Sequence, residues 1–188
     1  RSGELWFWNP ETLKPVFGMP RLHSDAILSV AFSPDGRWLA TGGADRFARL
    51  VEVASGREVR TLEGHSGHVL GVGWRSDGLM LATAGADLLV KFWDPVTGER
   101  RKQASGFGHE VTAISHLAGT DQWVAASGDV GLRVINENGD RVRGLSGADS
   151  SELGGGQDQL DTQRIDGGKS HDRLFLDPLT SAHVAFDD

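Results

Sequence analysis

Apolar positions in this chain come in short runs, each closed by a turn signal. Ile27-Leu28-Ser29-Val30-Ala31-Phe32 ends at Ser33-Pro34-Asp35-Gly36, where Pro presets φ and Gly supplies a positive one. Arg37-Trp38-Leu39-Ala40-Thr41 is stopped by Gly42-Gly43. Phe47 to Val53 is stopped by Ala54-Ser55-Gly56, and Glu58 to Leu62 follows. No stretch keeps a helical period, so the pattern predicts four β-strands per unit, paired as one antiparallel sheet.

The units repeat at an interval of 42. Asp45, Asp87 and Asp129 keep that spacing, as do Ile27, Val69 and Val111 at the heads of the first runs. Thr41 and Thr83 match, with Ala125 third; His23 and His65 match, while His109 arrives two residues late. Recurrence of this kind predicts a repeat architecture, in which each sheet buries its faces against its neighbours. Residues 1–17 supply the third and fourth strands of a partial unit, because Phe7-Trp8-Asn9-Pro10 lines up with Phe92-Trp93-Asp94-Pro95. Complete units are expected at 18–60, 61–103 and 104–145, the last one worn, with Ile135-Asn136 in place of Trp-Asp. Residues 146–188 read as a degenerate or truncated unit with a polar, Gly-rich loop.

The best unit runs from Leu62 to Gly98. It opens on Gly64-His65, closes on Trp93-Asp94, and carries the turns Ser76-Asp77-Gly78 and Gly85-Ala86-Asp87. In that order these marks resemble the WD40 repeat, one four-stranded blade of a β-propeller. The resemblance implies an all-β propeller segment of about three complete blades with partial blades at both ends. It also implies a polar network through Trp93, Thr83, His65 and Asp87. The flanking units offer His23, Thr41 and Asp45, with Val51 where Trp belongs, and His109 and Asp129. Trp8 is expected in the same role as Trp93, Trp74 in the core, and Trp38 and Trp123 partly exposed.

Composition narrows the function. The 188 residues contain no Cys, which excludes disulfides, thiolate metal sites and Cys nucleophiles. A net charge of −7 gives no reason to expect nucleic acid or an anionic membrane as partner. No apolar run is long enough to span a bilayer, and no signal-peptide pattern opens the chain. Together these favour the cytoplasm, and the missing initiator Met fits a fragment of a larger, bacterial-type protein.

His, Thr and Asp together suggest a catalytic triad, but a catalyst needs one set and these recur with the repeat. His65 and His68 lack a third ligand at useful spacing, so no metal is expected. Gly71-Val72-Gly73 lies inside a strand, Gly168-Lys169-Ser170 lacks its upstream Gly (position 163 is Gln), and Gly154 to Asp158 occurs once. No cofactor is expected. The resemblance implies a scaffold for protein–protein interaction, with partner contacts on the rim that carries the loops before first strands and between second and third strands. Residue by residue these are Asp25, Arg46, His68, Leu88, Glu110 and Val130. The alternative is a supporting propeller segment of a larger enzyme or cytochrome. Bare blade faces at the open ends are expected to promote self-association.

Overall fold

The computed structural model describes residues 3–129 and 131–145, and within them regular structure is entirely strand. The expectations placed on residues 146–188 lie outside the described residues. A hairpin of β1 (Leu5–Asn9) and β2 (Lys14–Met19) comes first. The first four-stranded sheet holds β3 (Ile27–Phe32), β4 (Trp38–Gly43), β5 (Ala48–Glu52) and β6 (Arg57–Leu62). The middle sheet holds β7 (Val69–Trp74), β8 (Leu81–Gly85), β9 (Val90–Trp93) and β10 (Arg100–Ala104). The third holds β11 (Val111–His116), β12 (Gln122–Ser127), β13 (Gly131–Asn136) and β14 (Arg141–Leu145). Every described pairing is antiparallel between consecutive strands, so each sheet is a meander. Among the described residues no helix is long and apolar enough to cross a membrane.

Register repeats as faithfully as sequence. Each four-stranded sheet has a bulge at the head of its first strand, between Ile27/Ser29, Val69/Gly71 and Val111/Ala113. A second bulge recurs where the third strand meets the fourth. A bulge adds one residue and strengthens local twist.

The core lies between the sheets rather than within any one of them. Ala40, Leu50, Leu62, Val69, Val72 and Trp74 join the first and middle sheets. Phe92, Phe107, Val111, Ile114 and Trp123 join the middle and third. Leu22, Leu39 and Val51 pack under Leu5, Phe7 and Met19 of the hairpin. Two glycines set the closest approach. A Cβ on Gly71 would stand 3.0 Å from Ala113 Cα, and one on Gly73 would stand 2.7 Å from Ile114 O. Only hydrogen lets the β7 and β11 backbones come so near. The other face of β3 is bare, with Leu28, Val30 and Phe32 exposed.

Two tryptophans depart from expectation. Trp123 is fully buried, against Phe92 at 5.6 Å and edge-on to His116 at 4.8 Å. The register gives the reason: Trp123 opposes Ile135 as Leu81 opposes Trp93, so the indole has moved from the third strand to the second. Trp8 lies 58% exposed, and among the described residues the hairpin has no second strand beside it to offer a hydroxyl.

Candidate interaction rim and the polar relays beneath it

In the middle sheet, Trp93 Nε1 donates to Thr83 Oγ1 at 2.8 Å, and Thr83 Oγ1 stands 2.7 Å from His65 Nε2. His65 Nδ1 stands 2.8 Å from Asp87 Oδ1. An ionised carboxylate only accepts, so Nδ1 of the neutral imidazole carries the proton toward Asp87, and Nε2 accepts from the Thr83 hydroxyl, which itself accepts from the indole. Asp87 Oδ2 also accepts from Ser66 N at 3.1 Å and Lys91 Nζ at 2.8 Å. Lys91 is almost wholly buried, and Asp87 is its carboxylate partner among the described residues; its Nζ also lies 3.3 Å from His65 Nδ1. Burial pushes the His65 pKa down, against the pull of Asp87. Burial also opposes ionisation of Asp87, but Lys91 and His65 hold its pKa below the ordinary value.

The first sheet builds the same relay with one end changed. His23 Nδ1 lies 2.8 Å from Asp45 Oδ1, His23 Nε2 lies 2.8 Å from Thr41 Oγ1, and Arg49 Nη1 donates to Asp45 Oδ2 at 2.8 Å. Buried Val51 stands where Trp93 stands in the middle sheet, so Thr41 receives no indole. Burial raises the Asp45 pKa, yet its bonds to His23 and Arg49 prevail and bring it to about 2. His23, like His65, is pushed down by burial.

The third sheet corrects the assignment of His109. Its ring is exposed and makes no hydrogen bond among the described residues. Phe107, 42 residues after His65, fills the place instead, under the Arg133 guanidinium at 4.4 Å. The shorter loop before Val111 leaves His109 two residues beyond that place. Asp129 keeps its position, accepting from the Ser127 hydroxyl and from Gly108 N at 2.5 Å. With Ala125 and Ile135 in the Thr and Trp places, no relay forms.

Arg49, Lys91 and Arg133, each four residues past the repeating Asp, were missed by the sequence reading. Their signal was present, since they too recur every 42 residues.

The relays tie down loops. Ala44 N donates to Ala26 O at 2.8 Å, and Ala86 N donates to His68 O at 2.9 Å. These bonds put Asp25 beside the Arg46 turn and His68 beside the Leu88 turn. Arg46 and Leu88 adopt φ of 74° and 65°, a left-handed conformation that side chains rarely take. Asp25, Arg46, His68, Leu88 and Glu110 are all exposed. Val130 lies outside the described residues.

Little else is chemically convergent. Among the described residues no three His, Cys, Asp or Glu side chains gather as a metal would require. An open cavity of about 380 Å³ is lined by Arg75, Asp77, His116 and Glu137. Arg75 is already bonded there to Asp77 at 2.8 Å and Glu137 at 2.7 Å.

Stacked four-stranded meanders with the core between them are blades of a β-propeller. The family profile described as "WD domain, G-beta repeat" matches residues 17–51 and 56–94. The solved structure titled "Structure of U3-55K" superposes with a TM-score of 0.68 at 26% identity, over 72% of this chain and 43% of that one. The general transcriptional corepressor TUP1 of Saccharomyces cerevisiae is 49% identical over 39 residues, 21% of this chain and 6% of its own length. The probable serine/threonine-protein kinase PkwA of Thermomonospora curvata is 53% identical over 38 residues, 20% of this chain and 5% of its own length. Residues 17–51 and 56–94 are therefore WD40 repeats. The chain spans only a small part of these curated relatives.

Proposed function

We propose that this chain is a rigid, non-catalytic scaffold that binds protein partners through the rim bearing Asp25, Arg46, His68, Leu88 and Glu110, with Val130 as the sixth position. One observation carries the reading. The His, Thr and Asp groups that could do acid–base work are buried inside single sheets, one set in each of two, and already bonded to one another. They hold loops rather than face a substrate. Exposed side chains at Arg46 and Leu88, kept where Gly would be less strained, support the rim as the working surface.

A triple variant Arg46→Glu/His68→Glu/Leu88→Asp tests this. Cross-linking with mass spectrometry on the full chain should place partner contacts on the rim, and the variant should lose them. A partner whose cross-links fall elsewhere and whose binding survives the variant overturns the reading.

A second reading has one specific support. The matching segment in the Thermomonospora curvata protein belongs to a chain named as a probable kinase. On that reading the repeats support a catalytic domain encoded elsewhere. Recovery of kinase activity only when the repeats are fused to such a domain favours it. Self-association through the bare β3 face is a further element of the proposal. Sedimentation at rising concentration should show it, and Val30→Lys/Phe32→Lys should abolish it.

A further inference from the structure

The net charge of −7 conceals a segregation of charge. Residues 146–188 carry nine Asp or Glu against three Lys or Arg. The outermost strands of the three sheets do the reverse. β6, β10 and β14 read REVRTL, RRKQA and RVRGL, seven cations with one acid. Register makes this a pattern rather than a tally. Arg60 pairs with Leu50, Lys102 with Phe92 and Arg143 with Val134, and those three third-strand partners lie 42 apart. One cation therefore stands at the same rung of the outermost strand in each sheet.

The positive charge is densest at β10. The bulge there sets Arg100, Arg101 and Lys102 over two successive rungs, opposite Trp93 and Phe92. All three are exposed. Arg101 is paired with Asp94, whereas Arg100 and Lys102 have no carboxylate partner among the described residues. Arg60 adds a fourth cation alongside. Its guanidinium donates to Val96 O at 3.2 and 2.8 Å and to Val59 O at 2.6 Å, so carbonyls anchor it without neutralising it.

Cations on an edge strand also guard against unwanted pairing. A guard works with either sign, however, and is under no demand to keep register across three sheets. The geometry points to the outer edge at β10 as a docking strip for an acidic, extended peptide segment of a protein partner. β10 is the last strand of its sheet, so its outer flank is not paired within the sheet and can bond a peptide main chain. Carboxylates on that peptide would meet Arg100, Lys102 and Arg60. Nucleic acid fits less well, because β6, β10 and β14 carry no aromatic ring on which a base could stack. The chain's overall negative charge also repels a long polyanion. This strip is distinct from the loop-bearing rim, and either can fail without the other.

Fluorescence anisotropy on the full chain tests the strip, using a labelled peptide of alternating Glu and Thr and its Gln-for-Glu counterpart. The Glu peptide should bind saturably, more weakly as salt is raised, and the Gln peptide should not bind. Arg100→Glu/Lys102→Glu should weaken binding about tenfold or more, with unchanged Trp fluorescence reporting an intact fold. The milder Lys102→Gln should weaken it in the same direction. Arg37→Glu, an exposed cation in the turn before β4, should leave it unchanged, as should the rim variant. Equal binding of the Gln peptide, or indifference to the charge reversals, overturns the proposal. So does displacement of the peptide by single-stranded RNA at a lower concentration than by unlabelled peptide.

Discussion

The middle and third sheets share strand order and bulge positions, yet their interiors are secured by different means. In the middle sheet a donor-to-acceptor chain runs from Trp93 through Thr83 and His65 to Asp87 and ends on buried Lys91. In the third, Phe107 fills the imidazole's place, Arg133 lies over its ring, and Trp123 supplies from the second strand the bulk lost at Ile135. A buried polar chain stabilises only when each member is satisfied, so one lost hydroxyl or indole removes the reason to keep the others. Substitution by apolar groups of similar volume then costs little. The first sheet stands between the two, with relay intact but Val51 at its indole end.

The largest effect should come from cutting the charged end. Asp87→Ala leaves Lys91 buried and unpaired, and should cost about 3–5 kcal/mol of stability. Asp129→Ala, whose carboxylate is partly exposed, should cost only about 1 kcal/mol. Urea denaturation of both variants gives the comparison, and equal midpoints would erase the distinction between the sheets.

Next comes the hydroxyl. Thr83→Ala should cost about 1–3 kcal/mol, because it strands both the Trp93 indole and His65. Thr41→Ala should cost less, since only His23 loses a partner and Val51 has no donor to lose. The ordering of the two midpoints is the measurement.

The relay can also be built rather than broken. Phe107→His alone should destabilise the third sheet by about 1–3 kcal/mol, because Ala125 offers the imidazole no hydroxyl. Adding Ala125→Thr should recover part of that loss. Failure of the pair to exceed the single variant would mean that the third sheet has repacked beyond return.

The smallest effect is titration. His23 and His65 are held below the ordinary histidine pKa in the folded state. In the unfolded chain they bind protons near pH 6.5. Between that pH and their folded values the unfolded state holds more protons. Their stabilising contribution is therefore full above pH 6.5 and is lost as pH falls through the folded values. Asp45, at about 2 in the fold, loses its own contribution only below its ordinary pKa of 3.8. The melting temperature should fall from pH 7 to pH 5, and less steeply in His65→Asn.

The repeat interval and turn signals were enough to read the all-β class and the stacking of sheets. They were enough because strand ends are fixed by local chemistry, such as Ser-Pro-Asp-Gly and Gly-Gly. Which residue filled a relay position was harder. Matching by residue type led to His109, whereas matching strictly by interval leads to Phe107. Trp123 was misjudged for a related reason. Beside Trp38 it looks like an opening residue of a second strand, but it falls one position later, on the face shared by Leu39 and Leu81. A one-residue offset in a strand turns a side chain to the opposite face. The outer cations escaped notice because the net charge averages them with the acidic residues of 146–188.

Gly71 and Gly73 carry a consequence for affinity. With the β7 and β11 backbones in near contact, neighbouring blades have no layer of side chains between those strands that could slide or repack. The loops leading into the two strands, which carry His68 and Glu110, are thereby held at a fixed separation before any partner arrives. Ordering flexible loops is among the costs a complex must overcome, and a surface already ordered avoids it. A bulkier residue at position 71 or 73 should loosen that spacing and weaken a bridging partner, mainly by hastening its dissociation.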